Sequence, residues 1–498
     1  MTKKDQNQPT IRVRFAPSPT GIIHIGNLRT ALFAYLFAKN QKGKFILRVE
    51  DTDRKRLDKE AVRKILEILS WVEIEVDEGV YLNKDKKITQ KGEFGSYIQS
   101  ERLEIYQKYI KKLLADKKVY HCFCSTERLA KVKEKQQAEK IPPMYDKKCR
   151  ELSEKEVQEK IKNGEKYVIR MKIPEEDKIK FSDKVFGDIE VNSSTVDDQV
   201  LIKADGFPTY HFAVVVDDHL MRISHIFRGE EWLPSTPKHV LLYKFFDWKI
   251  PKFVHLPNVL GENKKKLSKR QGDVSVESFI KKGYLPEALV NFLALLGWNP
   301  KNNQEVMNRK ELIEKFALNG LHRAGAIFNY RKLDWMNGQY LKNRTGQELL
   351  EMCQPYIEKY LTENDLCVEP EKLEKIIKTE KTRIKNLSEI TENFNIYFKD
   401  VQYAKNLLKW KDMNKEEIKQ ALELDLKLVT ESDLTSLEIF QKSVLASIGE
   451  ARGEHLWPMR VALSGQEKSP SPFELVWILG KEESEKRIKK AIEKLKNL

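Results

Sequence analysis

The segment from residue 11 to residue 49 constrains the fold more than any other part of the chain. IRVRFA at 11–16 alternates apolar and charged side chains and runs into PSPTG at 17–21, which reads as a strand ended by a turn rich in backbone breakers. Leu28, Ala31, Leu32, Tyr35 and Leu36 then recur at helical spacing, predicting an amphipathic helix of about three turns. Gly43 closes that helix, and FILRV at 45–49 reads as a second strand. Strand, helix and strand in so short a span open an α/β sheet. A further helix follows, with Val62, Ile65, Leu66 and Leu69 on one face.

The turn before the first helix carries HIGN at 24–27. A helix N-terminus presents unpaired N–H groups and the positive end of the helix dipole, which suits a phosphate, and Gly26 lets a ligand approach the backbone closely. Neither the G-x-x-x-x-G-K-[ST] loop nor the G-x-G-x-x-G fingerprint is present. Farther on, residues 101–170 are dense in Lys and Glu. Short apolar runs return between 195 and 260, VLI at 200–202 and HFAVVV at 211–216, and read as the sheet resuming after an insertion. Beyond about residue 280 the pattern is almost wholly helical, and FLALLGW at 292–298 reads as a buried helix.

Composition sets the class. An apolar share of 40% supports sizeable cores, and the length suits roughly three to five domains. No apolar run approaches the ~18 residues that span a bilayer, and the polar start MTKKDQNQ lacks the apolar centre of a signal peptide. The five cysteines are odd in number and three are clustered, unlike a secreted disulfide framework. A soluble, cytoplasmic protein without a membrane partner is the expectation. The net charge of +15 suggests a polyanion as partner, with a merely lysine-rich composition an equal alternative.

The second chemical feature is KKKLSKR at 264–270, with Gly272 just after. A lysine run alone reads as a solvated loop, and His24 alone as a capping or core histidine. Paired in this order, HIGN and KLSKR resemble the two ATP motifs of class I aminoacyl-tRNA synthetases, HIGH and KMSKS. Asn27 stands at the last position of the first motif, Leu267 at the place of Met and Arg270 at the place of the final Ser. The longer pattern RFAPSPTG-x-x-H-x-G-x-x-RTAL at 14–32, followed by RVEDTDR at 48–54, is similar to the glutamyl-tRNA synthetase family of bacterial type. GFPTYHFA at 206–213, DDHL at 217–220, RGEEW at 228–232 and RVALSG at 460–465 extend the resemblance nearly end to end.

The resemblance implies a fold and a chemistry. The fold is α/β. A Rossmann-like catalytic domain spans 1–92 and 205–260, split by a tRNA acceptor-binding insertion at 93–204. A mixed α/β connecting domain at 261–345 carries the lysine loop, and an all-α anticodon-binding region covers 346–498. Glutamate attacks the α-phosphate of ATP, with Mg²⁺, to give glutamyl-adenylate and pyrophosphate. The glutamyl group then passes to the terminal adenosine of tRNA(Glu), in a monomer. Two anions meet in that reaction, so catalysis is mostly positioning and electrostatic stabilisation. By the resemblance, His24, Gly26, Asn27, Lys266, Ser268, Lys269 and Arg270 bind ATP, with His24, Lys266 and Lys269 catalytic. Arg14 and Arg228 pair with the carboxylates of L-glutamate, since a guanidinium fork suits a carboxylate. Glu50 holds its ammonium, and Ala16, Ser18 and Tyr210 complete that pocket. By themselves, Glu50, Asp51 and Asp53 read equally as a helix N-cap cluster. His211 stands near Val214, where some relatives carry an amide.

Cys122-x-Cys124 and Tyr145-x₃-Cys149 read either as buried structural thiols or, by resemblance to the insertion of some family members, as a closed site for one structural Zn²⁺. Cys353 and Cys367 need only the structural reading. Arg383, in RIKNL at 383–387, resembles the family's anticodon reader, and the basic tail 486–496 reads as a charged helix face. Two alternatives stay beside the main reading: an enzyme that also charges tRNA(Gln), and a tRNA-modifying glutamyl transferase paralogue.

Overall fold

A computed structural model describes residues 10–19, 21, 23–53, 58–267 and 274–496. The chain divides into two compact units, one of residues 1–279 with 289–329, the other of residues 280–288 with 330–498.

The first unit is built on an eight-stranded sheet. Its strands are β1 (Arg12–Phe15), β2 (Lys44–Leu47), β3 (Glu78–Leu82) and β4 (Ile88–Lys91), then, after a smaller sheet of β5 (Val119–Cys122), β6 (Val168–Met171) and β9 (Val200–Ile202), β7 (Lys178–Asp183), β8 (Gly187–Asn192), β10 (His225–Gly229) and β11 (Lys252–Leu256). The order is β4-β3-β2-β1-β10-β11-β7-β8. The pairs from β3 through β1 and β10 to β7 are parallel, and each edge is an antiparallel hairpin. The chain leaves β1 towards β2 on one side and returns through β10 on the other. That is a topological switch point, where α/β sheets bind ligands beyond the carboxyl ends of the strands.

The strand–helix–strand opening forms as its pattern predicts, except that its helix is not amphipathic. Helix α1 (Ile25–Asn40) runs sixteen residues, and its buried positions continue from Ala31 through Ala38 without a polar stripe. It is an interior helix, packed between β1, β10 and the helix Arg309–Lys315. The run HFAVVV is not a strand but part of the helix Tyr210–Leu220, and VLI belongs to the three-stranded sheet rather than the main one. The strands that resume the main sheet are β10 and β11. The segment 93–204 also gives the main sheet its edge hairpin β7–β8, because Asp183 pairs with Phe253. FLALLGW contributes to the helix Pro286–Leu295, and its Phe292, Leu293, Ala294, Leu296 and Trp298 are buried.

Beyond the short parallel pair Val259–Leu260 with Ala326–Ile327, the remaining elements among the described residues are helical. In the second unit the helices from Gly346–Glu363 to Pro472–Lys496 pack a core that includes Leu349, Ile377, Phe394, Leu422, Phe440 and Val476. The last helix breaks at Gly480, whose φ of +76° and ψ of 173° lie outside the helical region. The basic tail is only partly a solvated face. Arg487 is 3% exposed and donates to the carbonyls of Ile396, Leu463 and Lys399 at 2.7, 2.6 and 3.1 Å, tying together helix ends that would otherwise leave acceptors bare. Among the described residues no helix is long and apolar enough to cross a membrane.

Candidate active site

At the carboxyl ends of β1, β2, β10 and β11 lies a cavity of about 1050 Å³. Its lining contains Arg14, Ala16, Ser18, His24, Gly26, Asn27, Glu50, Tyr210, Arg228 and Lys266, so ten of the expected residues share one wall. Ser268, Lys269, Arg270 and Gly272 lie outside the described residues.

Two local structures bring HIGN and the flanks of the lysine loop together. His24 is the N-cap of α1, and its Nδ1 accepts from Gly26 N at 3.1 Å. The capping role and the place in the cavity wall are compatible, because the cap turns the helix N-terminus towards the cavity. The lysine loop is held at both flanks. Leu267 N donates to Val259 O at 2.9 Å, fixing Lys266 at the rim. On the far side Ile25 N donates to Val274 O at 3.0 Å and Val276 N to Ile23 O at 3.1 Å, so the chain leaves the loop alongside HIGN itself.

The two arginines differ in their surroundings. Arg14, on β1, donates Nε to Asp218 at 3.0 Å and Nη1 to Phe227 O at 3.2 Å. Arg48 donates to Asp218 at 2.8 Å and to Glu50 at 2.9 Å. Burial would lower the Arg14 pKa, but Asp218 outweighs it and holds the pKa above its ordinary value. Burial pushes the Glu50 carboxyl up, against the pull of Arg48 and Arg14. A low-dielectric site of this kind makes each paired charge count.

Arg228, on β10, is 5% exposed. It gives Nε to His255 at 3.0 Å, Nη1 to His239 at 3.0 Å and Nη2 to the Thr236 hydroxyl at 2.7 Å, and Tyr210 lines the same cavity. Among the described residues no carboxylate pairs with it directly. Burial pulls its guanidinium below the ordinary value, Tyr210 opposes this, and the neighbouring Arg14 adds to it. His211 does not line the cavity; its Nδ1 meets His239 Nε2 at 3.0 Å. Tyr210 packs on Trp232 with ring centroids 4.3 Å apart.

Asp51 and Asp58 divide the capping work. Asp51 accepts from Ser100 N at 2.8 Å and Ser100 Oγ at 2.6 Å, and Asp58 is the N-cap of the helix Lys59–Trp71. Glu50 caps neither. The residues that the motif reading did not single out are those gripping the arginines: Asp218, which Arg48 shares, for Arg14; Thr236, His239 and His255 for Arg228. Asp218 sat in the quoted DDHL without a role, whereas His239 and His255 belong to no local pattern.

In the smaller sheet, Cys122, Cys124 and Cys149 place their sulfurs within 4.8 Å of one another. Zinc–sulfur bonds of about 2.3 Å in a tetrahedron give sulfur–sulfur edges near about 3.8 Å, so the three thiols suit such an ion. The Tyr145 Oη lies 3.4 Å from both Cys122 and Cys124 sulfurs and accepts from Cys149 N at 2.9 Å. Arg128 Nη1 is 3.4 Å from the Cys124 sulfur, and the Arg170 guanidinium covers the Tyr145 ring at 4.0 Å. Both cations favour an anionic ligand set. Cys353 is buried and Cys367 exposed. In the helical unit Arg383 pairs with Glu474 at 3.0 Å.

Comparison with known proteins agrees with this geometry. Residues 10–335 match the family described as "tRNA synthetases class I (E and Q), catalytic domain", and residues 348–492 match "Anticodon binding domain". The chain is 46% identical over 485 residues to a glutamate–tRNA ligase of Alkaliphilus metalliredigens, covering 96% of this chain and 98% of that one. It is 45% identical to the glutamate–tRNA ligase of Clostridioides difficile, over 96% of this chain and 98% of that one. Among solved structures, a glutamate tRNA ligase from Elizabethkingia meningosepticum, crystallised in complex with its amino acid, superposes with a TM-score of 0.85. It is 36% identical, covering 98% of this chain and all of that one. The chain therefore belongs to the class I tRNA synthetases of the glutamate and glutamine type, and within them to the glutamate–tRNA ligases.

Proposed function

We propose that this chain activates glutamate with ATP to glutamyl-adenylate and transfers the glutamyl group to the 3′-terminal adenosine of tRNA(Glu). The observation that carries the proposal is Arg228: a buried cation with only neutral partners, facing the cavity beside Arg14. Leaving such a charge without a counter-ion is costly, and a substrate carboxylate supplies one. The side-chain carboxylate of glutamate sits on Arg228, with the Tyr210 phenol beside it, and Arg14 adds positive potential. Glu50 takes the ammonium. Its raised pKa comes from burial, and a bound cation offsets that cost. Ala16 and Ser18 close the pocket on the β1 side.

ATP lies along HIGN. The N-terminus of α1 turns the positive end of its dipole towards the phosphates, Gly26 leaves room for their close approach, and His24 stands at the same edge. Lys266, with Ser268, Lys269 and Arg270, meets the triphosphate from the loop, and Mg²⁺ when bound neutralises phosphate charge. The α-carboxylate of glutamate attacks the α-phosphorus, the bond to the bridging oxygen breaks and pyrophosphate leaves. Loop cations that engage as charge builds on the phosphates stabilise the transition state more than the ground state.

Cys122, Cys124, Cys149 and the Tyr145 phenol would hold one structural zinc, which closes the four-ligand set and fixes the turn at 147–150. The helical unit supports the ligase reading over a tRNA-modifying paralogue that lacks it, with Arg383 reading the anticodon. We keep the functional division at 92, 204, 260 and 345, with the hairpin β7–β8 of the insertion completing the main sheet. We place the chain in the cytoplasm as a monomer. Exchange of pyrophosphate into ATP should require both glutamate and tRNA(Glu). Exchange with glutamate left out, or preference for glutamine, would overturn the proposal. Charging of tRNA(Gln) beside tRNA(Glu) would mark a non-discriminating enzyme.

A further inference from the structure

The fixed directions of the hydrogen bonds around Arg228 determine the protonation of its neighbours. A guanidinium N–H only donates, so His255 Nε2 accepts from Arg228 Nε at 3.0 Å. The proton of His255 is then on Nδ1, aimed at Asp183 Oδ2 at 2.7 Å. Asp183 is fully occupied. Its Oδ1 takes the backbone N–H groups of Val185 and Phe186, both at 2.8 Å, and its Oδ2 also takes His255 N at 3.0 Å. A carboxylate with four donors stays ionised, so its charge reaches Arg228 only through a neutral imidazole. The second arm obeys the same rule. Arg228 Nη1 donates to His239 Nδ1, which leaves the His239 proton on Nε2, directed at His211 Nδ1.

The backbone builds this arrangement. Arg228 and His255 are direct cross-strand partners in the β10–β11 register, and Asp183 ends β7, the next strand. Asp183, His255 and Arg228 thus cross three adjacent strands, and side chains so placed keep their rotamers through the sheet.

We infer that His255, oriented by Asp183, is a positioning residue for amino-acid selection. It holds Arg228 in one plane through a neutral acceptor, leaving the cation uncompensated until a carboxylate, rather than an amide, enters. This rests on the reading of Arg228 as the partner of the glutamate side chain. A carboxylate in place of His255 would satisfy Arg228 internally and remove the distinction between the acid and its amide; a misdirected guanidinium would weaken acid binding.

The test exploits two amides that mimic opposite halves of histidine. His255→Asn keeps a donor near the Nδ1 position, for Asp183, and cannot reach Arg228. His255→Gln places its carbonyl near the Nε2 position and retains the acceptor for Arg228. In ATP–pyrophosphate exchange with tRNA present, His255→Asn should raise the KM for glutamate about tenfold, the loss of one hydrogen bond to a charged group. Its kcat and its KM for ATP should stay within about twofold, and its preference for glutamate over glutamine should fall by a similar factor. His255→Gln should recover most of the glutamate KM. An unchanged glutamate KM in His255→Asn, or equal impairment in both variants, would overturn the inference. Arg228→Gln separates the two levels: if it leaves the glutamate KM untouched, the placement of the substrate carboxylate is itself wrong. If it raises that KM steeply while His255→Asn does not, only the positioning role fails.

Discussion

Replacing Asp218 with asparagine should cost the first unit about 3 kcal/mol. Asp218 is 1% exposed. It takes Nε of Arg14 at 3.0 Å and Nη1 of Arg48 at 2.8 Å on one carboxylate oxygen, and the second oxygen takes Arg14 Nε again at 3.3 Å. The asparagine is isosteric, so no cavity opens and the transfer cost of burial hardly changes. What is lost is the charge. Arg48 keeps Glu50 at 2.9 Å and the more distant Asp217 at 3.9 Å, whereas Arg14 keeps only the Phe227 carbonyl. Removing one partner of a buried ion pair typically costs about 3–5 kcal/mol; the amide oxygen still accepts one bond, which places this case at the low end. That amounts to about a hundredfold in the folding equilibrium. Native-state hydrogen exchange of the β1 and β10 amides reads this unit alone. The sign with pH is fixed. The two arginines hold the Asp218 carboxyl below its ordinary 3.8 even though burial pushes the other way. Its contribution is therefore complete above about 3.8 and fades as the pH falls through the folded value. The gap between wild type and variant should be full at pH 7 and close in acid. A gap under about 0.5 kcal/mol at pH 7 would refute the assignment of Asp218 as the counter-charge of Arg14.

Two further changes report on the chemistry. Lys269→Ala should lower the rate of adenylate formation by about a hundredfold or more, with ATP binding altered much less, as single-turnover kinetics can separate; an equal loss in both would contradict a transition-state role. Elemental analysis of the purified protein should find about one zinc per chain, and Cys149→Ser should lose it; a wild-type protein without zinc would sink the metal site.

What was legible in the sequence follows physical lines. The opening unit could be read because β1 has one polar and one apolar face and α1 begins at a capped turn. The run at 211–216 was misread because a helix buried on all sides has no polar stripe, so periodicity cannot tell it from an interior strand. HIGN and KLSKR could be read together because each is a compact motif, and the pairing of residues 23–25 with 274–276 sets the far flank of the lysine loop beside HIGN. His255 and Asp183 escaped notice because they lie 72 positions apart and meet only through the register of three strands. Arg228 itself was found by motif, but the neutrality of its surroundings is a property of packing alone.

The order of strands has a consequence for synthesis. β1 finds β2 and β3 within a few dozen residues, but its other neighbour is β10, and Arg12 N reaches Ser224 across 212 positions. At roughly 5–20 residues per second, the ribosome takes roughly ten to forty seconds to supply that partner. Throughout this interval the nascent chain holds half a sheet whose central strand is an open edge, and Arg14 has no Asp218 to meet. Open edges are templates for unwanted pairing, so a pause in translation between residues 50 and 224 would leave this protein in its most aggregation-prone form.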